Sequence, residues 1–259
     1  MNKPQAGHWV LAALGKKVLR PGGRETTEFL LNHCPITGAR VVEFAPGLGI
    51  TAAEILSRTP RSYVGVDADP SACETTRRRL NELQPPCQVS VRECPADATG
   101  LEDGSADVVV GEAMLSMQTD AHKLAIMREA ARILRTGGIY AIHELLLTPA
   151  ELDEESKTAI QRDLARAIKV NARPLTIDEW SDLATQAGFE VVKTFTTSMS
   201  LLEPRRLIAD EGLGVFKIAF NLLRQPQLRK RVVTMRATFS KHAEHLGAIG
   251  LVLKKSDVS

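Results

Sequence analysis

The chain has 259 residues, of which 25% are charged, and its formal net charge is +2. That length fits one large domain or one domain with a cap. The small net charge and an aromatic content of 4% give no indication of nucleic-acid binding or of electrostatic attachment to a membrane.

Four cysteines occur without a CxxC pair, which predicts reduced thiols in a cytoplasmic protein and no structural zinc. The apolar run HWVLAALG near the N-terminus is followed directly by two lysines. It is too short to span a membrane, and it lacks the order of segments that a signal peptide has. We therefore expect a protein that is neither exported nor inserted into a membrane, and we expect no bound metal.

Residues 1–38 are predicted to form a helical cap, interrupted by the turn RPGGR at 20–24. From residue 39 to about 147, apolar strand-like runs alternate with helix-like segments. The predicted strands are ARVVEFA (39–45), SYVGVDA (62–68), QVSVREC (88–94), ADVVVGEA (106–113) and GIYAIHELLL (138–147). The predicted helices between them are TAAEILSRT, SACETTRRRLNEL and DAHKLAIMREAARILR. Two glycines at 137–138 are expected to stop the last of these helices.

Two helical inserts are predicted to interrupt the later part of the chain, at about 148–173 and 203–245. In the second insert, one helix is predicted because apolar residues keep a spacing of three to four from Leu228 to Leu246. Between the inserts, the sequence TIDE predicts a capping box formed by Thr176 and Glu179, and Gly188 is expected to close that helix. The last two predicted strands are FEVVKTF (189–195) and LGAIGLVLKK (246–255).

Strand–helix alternation with almost continuously apolar strands is typical of a parallel sheet covered on both faces. We therefore predict an α/β fold, Rossmann-like and doubly wound. It would have a mostly parallel seven-stranded sheet, helices on both faces and helical lid inserts. Residues 1–38 would form the cap, and residues 39–259 would form the main domain. Inserts beyond the carboxyl ends of the strands usually cover the substrate site in such sheets.

A glycine loop follows the first predicted strand, in the sequence VVEFAPGLGITA at 41–52. Gly47 and Gly49 allow a ligand to approach the backbone closely. Asp67 ends the second strand, where a carboxylate can accept both ribose hydroxyls of an adenosine. Glu43 would repel a pyrophosphate in the same region but would attract a cationic group, and Pro46 removes one N–H that a phosphate would need. The loop therefore favours a positively charged nucleoside over a dinucleotide.

Five motifs in this order resemble those of class I S-adenosylmethionine (SAM)-dependent methyltransferases, especially small-molecule, type 11-like members. The segment from Glu43 to Gly49 is similar to the family's acid and glycine loop, with Ala45 in place of the first glycine. Similar motifs follow at YVGVDAD, ECPADATGL, ADVVVGEAML and LRTGG. The resemblance implies SAM as the cofactor. The residues expected to bind it are Glu43, Ala45, Gly47, Gly49, Asp67, Ala68, Asp97, Ala98 and Glu112.

Methyl transfer from a sulfonium needs mainly an aligned donor and acceptor, because the methyl group is already activated. A general base is needed only where the acceptor carries a proton of high pKa. His143 and Glu144, at the end of the fifth strand, are the candidate catalytic residues, with His143 as the base. A buried hydrogen bond is the alternative role for His143. Arg24 is a candidate for binding the methionine carboxylate, or it simply belongs to a connecting turn.

The apolar stretch VFKIAFNLL at 215–223 favours a small lipophilic or aromatic methyl acceptor, and it could also pair two copies into a homodimer. Three alternatives stay open at this point. The basic face of residues 217–241 could bind an RNA substrate, although nucleic acid is not the expected partner. The GxGxxA loop could bind NAD(P) in an oxidoreductase. The pair Ala45-Pro46 could instead mark a protein that binds SAM without catalysis.

Overall fold

The computed structural model describes residues 7–16, 19–199, 201–202, 204–212 and 214–256, so the first six residues of the predicted cap lie outside the described residues. The strands are β1 Arg40–Phe44, β2 Ser62–Asp67, β3 Gln88–Glu93, β4 Ala106–Glu112, β5 Leu134–Leu147, β6 Phe189–Ser198 and β7 Leu246–Lys255. The helices of the described residues are α1 Gly7–Ala13, α2 Gly23–Asn32, α3 Ile50–Leu56, α4 Pro70–Leu83, α5 Asp120–Ile133, α6 Glu154–Ile168, α7 Ile177–Gln186, α8 Pro204–Glu211, α9 Gly214–Arg224 and α10 Pro226–Lys241.

The strands form one seven-stranded sheet in the order β3-β2-β1-β4-β5-β7-β6. Strands β1 to β5 are mutually parallel, whereas β7 runs antiparallel between β5 and β6. The prediction of a doubly wound, mostly parallel sheet is confirmed. The strand order reverses between β1 and β4, and the crevice above such a switch point is where open α/β sheets bind ligands.

Both faces of the sheet are buried, and alternate residues of β4 show how the core divides. Val108 and Val110 pack on one face with side chains of α2, α3 and α4. Val109 points to the other face and packs with side chains of α5 and α7, among them Trp180. This alternation follows from the two-residue repeat of a strand, and it explains why the central strands carry hydrophobic residues at almost every position.

A third hydrophobic cluster lies beyond the carboxyl end of β5 and joins α1, α6 and α10. We call these three helices the roof. Its buried side chains include Leu11 of α1, Leu164 of α6, and Met235 and Phe239 of α10. Both predicted inserts thus contribute to a cover over the sheet. Helix α2 does not belong to the roof, because its Leu30 packs on the sheet.

The segment that follows α1 is fastened to α8 and α9. The buried Lys16 Nζ lies 3.7 Å from Asp210 Oδ2 and 3.5 Å from Glu211 Oε1. The side-chain amide of Asn221 donates to the carbonyl of Leu14 at 3.0 Å. These contacts join residues that are far apart in the sequence: Leu14 and Asn221 are separated by 207 positions.

Two predicted helix ends were wrong. Helix α5 stops at Ile133, before the two glycines, because Leu134 already pairs with Ala106 as the first residue of β5. Gly138 is instead required by close packing, since a Cβ there would lie 2.9 Å from the carbonyl oxygen of Arg135. The apolar spacing that begins at Leu228 predicted one helix reaching residue 246, whereas α10 ends at Lys241 and the insert also contains α8 and α9.

The capping box at the start of α7 gives a direct test of a predicted local structure. Thr176 Oγ1 accepts from the backbone N–H of Glu179, and the Glu179 carboxylate accepts from the backbone N–H of Thr176. We expect Thr176→Ala to lower the free energy of unfolding by about 1 kcal/mol, because the first turn loses a cap. Thr185→Ala, at an exposed position of the same helix, is the matched control. Equal effects of the two changes in urea denaturation would contradict the capping role.

Candidate active site

A cavity of about 440 Å³ lies between the carboxyl ends of β1, β2, β4 and β5 and the roof. This volume is within the range of about 300–1,000 Å³ that is usual for small-molecule sites. The cavity has two chemically different ends. The end next to the strands contains acidic groups and Arg20, whereas the end under the roof is almost entirely apolar.

The loop after β1 adopts a backbone shape that forms the floor of the first end. Ala45, Gly47 and Gly49 all have a positive φ, of 54°, 54° and 66°. A Cβ at Gly47 would meet only the Ala45 carbonyl oxygen, at 3.9 Å, so open space lies next to this glycine. Gly49 faces away from the cavity, since a Cβ there would lie 3.1 Å from Arg79 Cγ of α4. Ala45, Gly47 and the intervening Pro46 line the cavity. Gly49 packs against α4 and is not among the described lining residues, so its contact with the cofactor stays a prediction.

Asp67 ends β2 and faces the cavity beside the glycine loop. Its Oδ2 accepts from the backbone N–H of Gly47 at 3.4 Å, and its Oδ1 accepts from that of Asp69 at 2.9 Å. Burial raises the pKa of this carboxyl above its ordinary value. A carboxylate offers about four acceptor positions, so Asp67 keeps capacity for ligand hydroxyl groups. Ala68 also lines the cavity.

Asp97 and Ala98, which the resemblance predicts to bind the cofactor, lie beside the cavity wall and do not form part of it. Asp97 forms an ion pair with His122, whose Nε2 lies 3.2 Å from Asp97 Oδ2. The cavity wall at this point is formed by Pro95, Ala96 and His122, whereas Asp97 and Ala98 do not line it. Cofactor binding by Asp97 and Ala98 therefore stays a prediction.

The Glu112 carboxylate, at the end of β4, is surrounded by donors from four parts of the chain. Thr27 Oγ1 and Thr51 Oγ1 each donate to it at 2.5 Å. Arg20 Nη1 and His143 Nδ1 each lie 3.0 Å from one of its oxygens. The cationic Arg20 and the hydrogen bond from His143 lower the pKa of Glu112 to about 2, against the opposing effect of burial. Glu112 is therefore ionised, and its capacity to accept hydrogen bonds is used by groups of the protein itself.

His143 is fully buried, and both of its ring nitrogens are occupied. The backbone N–H of Gly22 donates to Nε2 at 2.9 Å, so the ring proton lies on Nδ1 and is donated to Glu112. His143 does not line the cavity. In this geometry the imidazole has neither a free nitrogen nor contact with the cavity, which agrees with the alternative role of a buried hydrogen bond, and the catalytic base at His143 stays a prediction. Its contacts instead hold the RPGGR turn against β5.

Glu144 also binds groups of the protein itself, although it lines the cavity. Its Oε1 accepts from the backbone N–H groups of Met114 at 2.9 Å and Leu115 at 2.7 Å, and its Oε2 accepts from that of Ser116 at 3.0 Å. Burial raises its pKa in spite of these three donors. The carboxyl therefore fixes the loop after β4, and a catalytic role for Glu144 stays a prediction.

Glu43, at the end of β1, faces the cavity and is the second buried acid of the site. Tyr63 donates its hydroxyl proton to Glu43 Oε2 at 2.7 Å. Burial, together with the negative charge of Glu112, raises the pKa of Glu43 to about 8, although Tyr63 and Arg20 act in the opposite direction. The sequence argument treated Glu43 as a permanent negative charge. In the free protein it is instead mostly protonated near neutral pH.

Arg20 is a residue of the candidate site that the sequence analysis did not single out. It lines the cavity and pairs with both Glu112 and Thr27. Arg24 is exposed and is not among the described residues that line the cavity, and its backbone N–H donates to Asp210. Both arginines belong to the RPGGR turn, so spacing alone could not separate them. The deciding signal is Thr27, one helical turn into α2, which brings Arg20 to the end of β4.

The second end of the cavity lies under the roof and is lined by hydrophobic side chains. Leu11 comes from α1, Leu164 from α6, and Met235 and Phe239 from α10. Met199 and Leu201, from the chain after β6, contribute further apolar surface. We call this end the apolar chamber. Such a wall favours a ligand that gains free energy by leaving water.

Comparison with known proteins identifies a methyltransferase domain in the segment that forms the strand end of the cavity. A family model described as a methyltransferase domain matches residues 41–138, which contain the glycine loop, Asp67 and Glu112. An uncharacterized protein of Haemophilus influenzae is 32% identical over 255 residues, which cover 96% of this chain and 98% of that protein. The ubiquinone/menaquinone biosynthesis C-methyltransferase UbiE of Geobacter sp. is 27% identical over 124 residues, 47% of this chain and 52% of that enzyme.

Solved structures share the fold over most of the chain. The [4+2]-cyclase SpnF superimposes with a TM-score of 0.72 at 15% identity and covers 99% of both chains. The geranyl diphosphate C-methyltransferase of Streptomyces coelicolor, solved with S-adenosyl-L-homocysteine, has a TM-score of 0.64 at 15% identity. That match covers 90% of this chain and 79% of the other.

The state of Glu43 makes a prediction about stability and pH. A carboxyl whose pKa rises on folding, here from 4.5 to about 8, stabilises the native state fully below the lower value. This contribution is lost as the pH rises towards the upper value. We therefore expect the free energy of unfolding of the ligand-free protein to fall, relative to that of Glu43→Gln, between about pH 5 and about pH 8.

Urea denaturation of both proteins at several pH values measures this difference, with the exposed Glu190→Gln as the control. A difference between wild type and Glu43→Gln that does not change with pH would show that Glu43 keeps an ordinary pKa.

Proposed function

This chain belongs to the class I SAM-dependent methyltransferase family, and from that premise we propose that it methylates a small lipophilic molecule held in the apolar chamber. The chamber is the observation that carries the proposal. It adjoins the acidic end of the cavity, so one cavity can hold a polar methyl donor and an apolar acceptor next to each other. Holding two reactants in line is the largest contribution that this reaction requires of a protein.

The strand end of the cavity fits the donor. Bound SAM supplies a methyl group on a sulfonium, a centre that needs no further activation. We propose that Asp67 accepts the ribose hydroxyls and that Gly47 allows close backbone approach. Arg20 lies in the cavity wall, where its guanidinium suits the methionine carboxylate. Glu43 faces the same space, and a nearby cation would favour its ionised form.

We infer that Glu112, which lines the cavity, contributes mainly through the residues that it binds and less through direct contact with the cofactor. Its oxygens are occupied by Thr27, Thr51, Arg20 and His143. We propose that it positions Arg20 and the start of α2 at the rim of the cavity. Positioning roles for His143 and Glu144 fit the same scheme, because each fixes backbone next to the cavity.

The described cavity wall offers no side chain that is well placed as a general base for the acceptor. Glu144 is occupied by backbone N–H groups, and His122 is paired with Asp97 at the donor end. We therefore propose an acceptor that is already nucleophilic near neutral pH, such as an enolate carbon or a phenolate oxygen. The chain's part in the reaction is to bind, align and exclude water.

The names of two similar proteins support a lipophilic acceptor. The UbiE relative acts in ubiquinone and menaquinone biosynthesis, and the Streptomyces neighbour is named for geranyl diphosphate. RNA is less well supported as the acceptor. The exposed basic residues of α10, such as Arg229 and Lys230, lie on the side of the helix opposite Met235, which lines the cavity. The four cysteines are unpaired thiols, which supports the proposed cytoplasmic location.

The donor site is tested by Asp67→Asn. Loss of the charged acceptor should weaken SAM binding by about tenfold to a hundredfold, because hydrogen bonds to a charged group contribute about 1.5–3 kcal/mol. Isothermal titration calorimetry measures the affinity. Asp182→Asn makes the same chemical change at an exposed site of α7 and should leave the affinity unchanged. Unaltered SAM binding by Asp67→Asn would remove the ribose assignment.

The apolar chamber is tested with a series of phenols that carry alkyl chains of increasing length. We expect kcat/KM, measured by release of S-adenosylhomocysteine, to rise with chain length until the chamber is full. Met235→Phe should reduce the rate for the longest chains most and leave SAM affinity intact. Thr234→Phe, on the exposed side of α10, is the control. SAM binding with no chain-length preference in either protein would overturn the lipophilic acceptor and leave the donor site standing.

A further inference from the structure

An exposed apolar stripe runs along α9, on the outer side of the protein. Phe216, Phe220 and Leu223 are 71%, 53% and 74% exposed. Their spacing of four and three residues places them on one side of the helix. Ile218, on the opposite side of α9, is buried, and Asn221 holds that side to the segment after α1. The stripe is therefore an outward surface and not part of the core.

Basic side chains lie along one edge of the stripe. Lys217 and Arg224 are exposed and lie side by side along one of its edges. The Arg224 guanidinium lies 4.6 Å from the centre of the Phe220 ring, and this cation–π contact places a positive charge directly on the stripe. Helix α10, which packs against α9, presents the exposed Arg229 and Lys230.

The charge of the segment that forms this surface is one-sided. Residues 212–243 contain seven lysines and arginines and not one aspartate or glutamate, and the chain's net charge of +2 hides this local asymmetry. Lys241, at the end of α10, is paired with Asp163 of α6, so the basic residues that matter here are those nearer to α9. A helix with exposed phenylalanine and leucine between basic residues is the pattern of a segment that lies in a lipid–water interface. A second copy of the same face would bring cations against cations, which opposes self-association through it.

We propose that the outer face of α9 and α10 docks on the surface of an anionic phospholipid bilayer, with Phe216, Phe220 and Leu223 inserted among the acyl chains. The basic residues would then lie at the level of the phosphate groups. This is attachment to a surface and not insertion across it. Within the described part of the chain, no helix is long and apolar enough to cross a bilayer.

Attachment through this face would bring the apolar chamber close to the bilayer. Helix α10 has Met235 and Phe239 in the cavity wall on its inner side and the exposed Val233 on its outer side. A single helix thus separates the proposed bilayer surface from the apolar chamber. A lipophilic compound dissolved in the bilayer would have a short path to the chamber. The docking itself does not depend on the proposed methylation, and it is measured without SAM or acceptor.

The experiment is cosedimentation of the full chain with vesicles of phosphatidylcholine and phosphatidylglycerol, compared with vesicles of phosphatidylcholine alone. We expect binding to the anionic vesicles that weakens as salt is added. The triple variant Phe216→Ser, Phe220→Ser, Leu223→Ser should bind about a hundredfold more weakly, because it loses the inserted apolar area. Lys217→Glu with Arg224→Glu should bind at least about 25-fold more weakly, since each basic residue contributes roughly fivefold.

Two matched controls carry the same chemical changes elsewhere. Leu83→Ser with Val192→Ser removes exposed apolar side chains, and Arg61→Glu with Arg78→Glu reverses exposed cations. Both should bind vesicles like the wild type. Circular dichroism checks that every variant is folded.

Three results would overturn the proposal. The first is no binding to anionic vesicles. The second is equal binding to neutral vesicles. The third is a dimer in sedimentation velocity that the α9 triple variant abolishes while vesicle binding persists.

Discussion

The Glu112 carboxylate accepts hydrogen bonds from Thr27 of α2, Thr51 of α3 and His143 of β5. It also forms an ion pair with Arg20, from the turn before α2. A buried charge is tolerated only when it is compensated, so each of these partners is needed where it is. Their common attachment to the end of β4 places the RPGGR turn over the switch point of the sheet. The cavity has its polar rim because this one carboxylate must be satisfied.

The site holds two buried glutamates, and their environments shift their pKa values in opposite directions. Glu112 is ionised because Arg20 and His143 favour its negative charge, and it is one of the reasons that Glu43 remains protonated. Tyr63 keeps Glu43 aimed at the cavity. Two acids on neighbouring strands thus carry about one negative charge in the free protein. The arrival of a cationic ligand changes this balance, because a positive charge next to Glu43 favours release of its proton.

The sequence predicted the sheet well because its signals are local. Alternating apolar runs define the strands, and the capping box of Thr176 was readable from four letters. The placement of Asp67 beside Gly47 followed from strand order alone. The roles of His143 and Glu144 could not be read this way, because they depend on partners such as Gly22 and Met114 that fold from distant positions. Helix α10 was overextended because the apolar spacing continues smoothly into β7.

The segment after α1 is joined to the late helices α8 and α9 by contacts such as Leu14 with Asn221 and Lys16 with Asp210. The strands pair without help from these contacts. Separate cooperative units of this kind can open at a lower free energy than the whole molecule. Amide hydrogens of α1, α9 and α10 would then exchange with solvent earlier than those of β1 and β4. Such partial unfolding would open the cavity to small molecules while the sheet that carries Asp67 and Glu112 stays assembled.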